Sequence, residues 1–364
     1  MTDSMQEDPP VTSPVPPCAA PSGAPCAPWA APEQLSQEPG AGRTGAAAVG
    51  HFLLWSVIAV AAVLLVSIAI QVVVMVIGTV VILVRDGLHS DSDMASGDLL
   101  AIMIASQLAE IAIFVPWWKR VRRRGLGIAH GNGEEACIRS GKGAKSLSRT
   151  LFSIALIGIG LQLLISLALT AILPLFPEIL NEYNDLMEAG GTEEFALFPV
   201  LSVAVLAPMS EELTVRGIAL QFALRGVCPA WDKRLAPKAY PKIEVGPARF
   251  WVANVIQALA FGILHLNITQ GLYAFVIGMV LGWMFGRTGK LRYGIALHLA
   301  VNFSSYFVEG LYSVFGMLGG WGIVVAPVAC LIVGLRLFTQ AVPIDSSAAL
   351  SRATHLAASE EPML

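Results

Sequence analysis

Three short stretches of this sequence place acids, imidazoles and amides at helical spacing inside apolar runs. The first reads Leu206-Ala-Pro-Met-Ser-Glu-Glu-Leu-Thr-Val-Arg-Gly217. Glu212 and Arg216 are four residues apart, so on a helix they share a face, with the acid on the N-terminal side, the favoured order for an ion pair. Glu211 lies about 100° further around and finds no cation on its own element. An uncompensated carboxylate of this kind can take a proton from water, as a general base must. Pro208, just upstream, lacks an N–H and loosens the helix there. The second stretch ends Gln257-Ala-Leu-Ala-Phe-Gly-Ile-Leu-His265, with Gln257, Phe261 and His265 at intervals of four and Asn254 close to the same stripe. The third holds His298 and Asn302, four apart, among Leu297, Leu299, Ala300 and Val301. Peptide hydrolysis needs a base to activate water, a group that holds the water and protonates the leaving amine, and donors for the oxyanion. Glu211 with His265 can fill the first two parts, and His298 with Asn302 can donate to the developing negative charge.

The elements that must position these side chains are membrane helices. The chain has 364 residues, of which 55% are hydrophobic and 13% charged, with a mean hydropathy of +0.68. That charged fraction is about half the usual value for soluble domains, and several apolar stretches reach the ~20 residues needed to cross a hydrocarbon core. The expected fold is all-α: a polytopic membrane protein, a bundle of about eight transmembrane helices. Apolar windows fall at 52–84, 99–118, 149–176, 196–224, 250–266, 269–286, 293–310 and 314–337. The first would be ~50 Å long at 1.5 Å per residue, so it must tilt, kink or project. Each charge at mid-bilayer costs roughly 2.5–3.5 kcal/mol on an insertion scale, so a cluster of them requires a reason.

Outside the helical domain, 48–340, the chain has two tails. Residues 1–47 contain ten of the 22 prolines and read as a disordered cytoplasmic tail, and 341–364 as a cytoplasmic C-terminal tail. Lys and Arg gather in 119–149, 225–249 and 287–292, with Arg336 and Arg352 towards the C-terminus. The gaps 85–98, 178–195 and 309–313 are poor in basic residues, so the positive-inside rule puts both termini in the cytoplasm. Trp117 and Trp118 read as interfacial anchors. A net charge of -3 leaves no electrostatic footprint for nucleic acid. Cys18, Cys26, Cys137, Cys228 and Cys330 lack CxxC spacing, which argues against a disulfide framework and a thiolate zinc site.

At these residues the sequence resembles the CPBP family of intramembrane proteases, which includes CAAX prenyl endopeptidases and bacteriocin-processing or Abi proteins. Three patterns carry the likeness: Glu-Glu-x-x-x-Arg at Glu211, Glu212 and Arg216, Phe-x-x-x-His at Phe261 and His265, and His-x-x-x-Asn at His298 and Asn302. They occur in that order, each on an expected membrane helix, within residues 195–310. The resemblance implies that Glu211 and His265 activate the attacking water and that His298 and Asn302 form the oxyanion site. Glu212, Arg216 and Phe261 would support them, with no cofactor. It also implies a helical bundle around a cavity, a peptide or membrane-protein substrate, and residence in a lipid bilayer, expected to be a bacterial plasma membrane. Many relatives carry an aromatic residue before the motif Arg, where this chain has Val215, a change that bears on packing beside the site.

Other readings stay open on the residues alone. Glu211, His265 and His298 could form a His2Glu zinc set, although they come from three helices without an HExxH pair, and Asn302 would then lack a clear role. A non-catalytic scaffold or immunity-type protein could keep the polar cluster for assembly. A proton or ion carrier would add Glu110 to a relay with Glu211, Glu212 and the histidines. Depth is a further constraint: counted from the nearest basic residue, Glu211 and His265 lie at ~20 Å and His298 at ~9 Å. Either the helix of His298 starts from a sunken loop, the reading favoured here, or the other helices overshoot the bilayer.

Overall fold

The computed structural model describes residues 45–86, 96–121, 127–128, 146–189, 195–228 and 244–342. All of them belong to one compact unit, Pro39–Leu364. The Pro-rich tail up to residue 44 lies outside the described residues. So do Cys18, Cys26, Cys137, Arg122, Arg123, Arg124, Arg139, Lys142, Lys145, Lys233, Arg234, Lys238, Lys242 and the C-terminal tail from 343 with Arg352.

A chain this apolar must satisfy its backbone N–H and C=O groups internally, and helices do so within one segment. Among the described residues ten helices result: α1 Ala46–Asp86, α2 Ser96–Val121, α3 Ser146–Ile172, α4 Pro177–Ala189, α5 Leu197–Val227, α6 Pro247–Leu264, α7 Ile268–Thr288, α8 Leu291–Ser305, α9 Val308–Gly316 and α10 Gly322–Ala341. The only β-structure among the described residues is a two-residue parallel pair, β1 Gly127–Ile128 with β2 Glu244–Val245. Seven helices, α1, α2, α3, α5, α6, α7 and α10, are long and apolar enough to cross a membrane. The protein is an all-α polytopic membrane protein.

The seventh expected span is shorter than its apolar window. The window 293–310 becomes α8, 15 residues that end at Ser305, and the chain then turns through Tyr306 and Phe307 into the separate α9. At 1.5 Å per residue α8 is about 22 Å long, too short to cross a ~30 Å hydrocarbon core unaided. The last span starts at Gly322 rather than 314, because Gly319 takes a left-handed φ of 89° and breaks the run. The acidic gap after α3 also holds a helix of its own, α4. Trp117 and Trp118 pack inward: Trp117 stacks on Phe114 at 5.8 Å and lies 6.0 Å from Phe222, and Trp118 covers Gly217.

Two apolar clusters hold the bundle. One joins α1, α2, α5 and α6 around Val63, Phe114, Leu220 and Phe250. The other joins α3, α6, α7, α8 and α10 around Ile157, Phe261, Leu281, Leu297 and Phe338. α7 is delimited by local chemistry: Asn267 caps its start by accepting from the Gln270 N–H at 3.0 Å, and Gly289, left-handed at φ 63°, ends it. Only Gly289 and Lys290 then separate α7 from α8, which forces α8 to begin against the bundle.

Candidate active site

The acids sit between two wide turns of α5. Residues Leu201–Leu206 and Val215–Ala219 are π-helical, and Glu211 and Glu212 lie on the ordinary α-helical turns between them. Such π segments are frequent at functional sites. The first has an identifiable cause. Ala207 N–H bonds to Ser202 O, five residues back, and the next residue, Pro208, has no N–H to give to Val203 O. That carbonyl takes its hydrogen bond from Asn302 Nδ2 at 2.9 Å, so a side chain of α8 fills the gap left by the proline.

Glu212 is fully buried and accepts from Arg216 Nη1 at 2.8 Å across one helical turn. Its Oε1 also meets His298 Nδ1 at 3.3 Å. The other ring nitrogen, His298 Nε2, lies 3.5 Å from Glu211 Oε2. With Arg216 compensating Glu212, Nδ1 is the natural donor to that carboxylate, which leaves Nε2 to exchange a proton with Glu211. The imidazole is thus oriented by one acid and presented to another, the arrangement in which a buried carboxylate fixes a histidine tautomer. Gly294, one turn before His298, makes this possible: a Cβ there would approach Glu212 Oε2 to 2.6 Å. α8 therefore reaches the level of mid-α5 within one turn of its start.

His265 closes α6. Its Nδ1 contacts Phe261 O at 2.9 Å, and since a carbonyl only accepts, Nδ1 carries the proton and Nε2 keeps a lone pair. Phe261 is the hub of the group. The rings of His265 and His298 meet it edge-on at 4.9 and 5.6 Å, and the Arg216 guanidinium lies 4.6 Å over its face. Behind it, Gly278 O accepts from both Arg216 Nη2 at 3.2 Å and Gln257 Nε2 at 2.9 Å, and Gln257 donates to Asn254 Oδ1 at 2.7 Å.

Glu211 and His265 open onto one cavity of about 140 Å³, which Ser210 and Thr214 also line. The Glu211 side chain is 29% exposed, against none for Glu212. His298 reaches this cavity through Glu211, and Asn302 is tied to the α5 backbone. Glu211, Glu212, Arg216, Phe261, His265 and His298 therefore form one contiguous group, while the described contact of Asn302 is with Val203. Sequence reasoning missed the glycines of α7 and α8. Gly282 stands where a Cβ would collide with Asn254 Oδ1, and Gly278 where one would press on Ala258 and Phe261. Their spacing of four, and the position of Gly294 four before His298, were the available signals.

Residues 193–304 match the family model described as type II CAAX prenyl endopeptidase, Rce1-like. Over this segment, less than half of the chain, the sequence is similar to the CPBP intramembrane proteases. The match spans α5 to α8, the four helices that carry every one of these residues. No curated protein and no solved structure matches the chain. Among the described residues no three His, Cys, Asp or Glu side chains are grouped so as to hold a metal ion.

Proposed function

We propose that the protein is an intramembrane endopeptidase of the CPBP type, in which Glu211 and His265 activate a water molecule to hydrolyse a peptide bond. The observation that carries this reading is the shared cavity of Glu211 and His265, the place where a reacting water can meet both a carboxylate and an imidazole lone pair. The water oxygen attacks the scissile carbonyl carbon while Glu211 takes one of its protons. The tetrahedral oxyanion is stabilised by the Nε2–H of His298, carried when the ring is protonated between the two acids, and by Asn302, whose amide has a second hydrogen besides the one given to Val203 O. The intermediate collapses by breaking the C–N bond, and the proton held by Glu211 goes to the departing amine, so water is the only reagent consumed. Glu212 and Arg216 keep His298 in place, and Phe261 spaces the two imidazoles.

The substrate class suggested by the family description is a prenylated C-terminal peptide presented from the membrane, with other membrane-protein segments as the alternative. Counting the short α8 as an eighth pass puts both termini on the basic, cytoplasmic side, as expected for a bacterial plasma membrane. Comparative terminus mapping of membranes that carry wild type or Glu211→Gln tests the activity. New peptide termini should appear only with wild type, and turnover of a peptide containing such a site should fall by roughly 100- to 10,000-fold in the variant. Equal termini in both samples would reject the peptidase and favour a scaffold. We also propose that no metal takes part. Turnover should survive exhaustive chelation, and loss of activity restored by added zinc would overturn this point.

A further inference from the structure

The wall of the cavity opposite Glu211 is built by α1 and α2, helices outside the family match and without a part in the chemistry so far. Both are apolar along most of their length, yet α1 buries Ser67 (3% exposed) and α2 buries Glu110 (7% exposed). Gln71 Nε2 donates to Glu110 Oε1 at 3.4 Å, and Ser67 and Ser210 stand beside this carboxyl group. One turn before Glu110, Gln107 accepts from Ser202 Oγ at 3.1 Å. Ser67, Gln71, Gln107 and Glu110 all line the same cavity as Glu211 and His265. A polar contact that served only to join α1 to α2 would close on itself, whereas these groups border open volume.

That volume has the properties of a hydrated site. Liquid water occupies about 30 Å³ per molecule and a buried water needs 2–4 polar partners, while cavities lined by alkyl groups stay dry. About 140 Å³ lined by the Glu110 carboxyl, two amides, three hydroxyls, Glu211 and His265 satisfies both conditions. Every peptide bond hydrolysed removes one water, and the replacement must wait within reach of Glu211 in surroundings that otherwise exclude water. We propose that Glu110, held by Gln71 and Ser67, is a positioning residue that keeps water in this cavity and presents it to Glu211. The proposal rests on the peptidase reading above and makes α1 and α2 part of the working enzyme.

Two measurements test it. The first needs no turnover. In a variant whose five cysteines are replaced by serine, Ser67→Cys and Leu65→Cys are treated with silver ion in liposomes, and the remaining thiol is counted by alkylation after denaturation. Leu65 lies on the lipid-facing side of α1. Silver should protect the thiol at 67 and leave that at 65 free, and equal reactivity at the two positions would overturn the hydrated cavity. The second uses a quenched fluorescent prenylated peptide. Glu110→Leu should lower kcat by roughly 10- to 100-fold with KM nearly unchanged, the signature of a misplaced reactant. Glu110→Gln, whose amide still binds water, should restore kcat to within about threefold of wild type. Gln71→Leu should repeat the kcat loss in part if Glu110→Leu proves too unstable to assay. An unchanged kcat in Glu110→Leu would reject the role, and a Gln variant as impaired as Leu would instead indicate that Glu110 transfers protons. If wild type does not turn over the reporter, the prenyl-peptide reading fails by itself, and the silver measurement still decides whether the cavity holds water.

Discussion

The interface of α3 with α10 and that of α6 with α7 are both built on glycine, but they use the space differently. Between α3 and α10, a Cβ on Gly160 would approach the Leu331 backbone to 2.7 Å, and one on Gly334 would approach Ile157 to 2.8 Å. Backbone and alkyl groups fill that space, and the result is close packing, which drives helix association where lipid offers no hydrophobic contrast. Between α6 and α7, Gly262 and Gly271 also bring backbones together, but Gly282 makes room for the side chains of Asn254 and Gln257, and the Gly278 carbonyl accepts from Arg216 and Gln257. The same residue type brings backbones together at both interfaces and, between α6 and α7 alone of the two, also houses a buried polar network. What identifies the functional interface is the polar atom beside the glycine.

The largest way to break this contrast is to leave a charge unpaired in the polar interface. Arg216→Met removes the cation from a fully buried Glu212 and should destabilise the protein by about 3–5 kcal/mol. The double variant Arg216→Met with Glu212→Gln should recover most of that stability, since removing both charges of a buried pair is often neutral. Activity should not return with it, because His298 then lacks the carboxylate that orients it. Thermal unfolding in detergent together with turnover separates the two effects. A double variant as unstable as the single one would show that the pair is not compensating as the distances indicate.

A substitution of one atom gives a smaller effect and a sharper comparison. Gly282→Ala forces Asn254 out of place and should cost about 1–3 kcal/mol, as overpacking does. Adding Asn254→Ala should relieve the clash while still losing the amide network, so stability recovers further than kcat does. Gly160→Ala in the apolar interface should cost a similar amount, and no polar partner exists there whose truncation relieves it. Unfolding temperatures of the three variants provide the test, and a double variant no more stable than Gly282→Ala would remove the distinction.

The legibility of the site follows the range of the interactions. The ion pair of Glu212 with Arg216 lies within one helix, where a spacing of four determines contact, and the long apolar windows announce their helices in the same way. Relations between helices are not encoded locally. Nothing in the spacing of His298 and Asn302 shows that the histidine stands between two acids of α5, or that the asparagine reaches a backbone carbonyl. The shortness of α8 was visible only indirectly, as a mismatch in depth. The windows 293–310 and 314–337 ran past Ser305 and began before Gly322 because hydropathy does not register where a helix ends and restarts. Pro208 was readable as a point of weakness, but the partner that compensates it comes from nearly a hundred residues further along the chain.

That compensation yields the smallest effect and the most specific test. Asn302→Leu leaves Val203 O buried without a donor, which should cost about 1–3 kcal/mol. Pro208→Ala introduces an N–H at the position from which the π register would serve that same carbonyl, so in this background the Asn302→Leu substitution should cost less. A double-mutant cycle on unfolding free energy should show a coupling of about 1 kcal/mol, well above the few tenths expected for unrelated sites. Additivity would mean that the proline is not the reason for the vacancy that Asn302 fills. The activity of the Pro208→Ala variant adds a separate result. If the restored backbone bond competes for Val203 O and frees the Asn302 amide, turnover should change while the fold does not, because the amide that supports α5 is also the one proposed to meet the oxyanion.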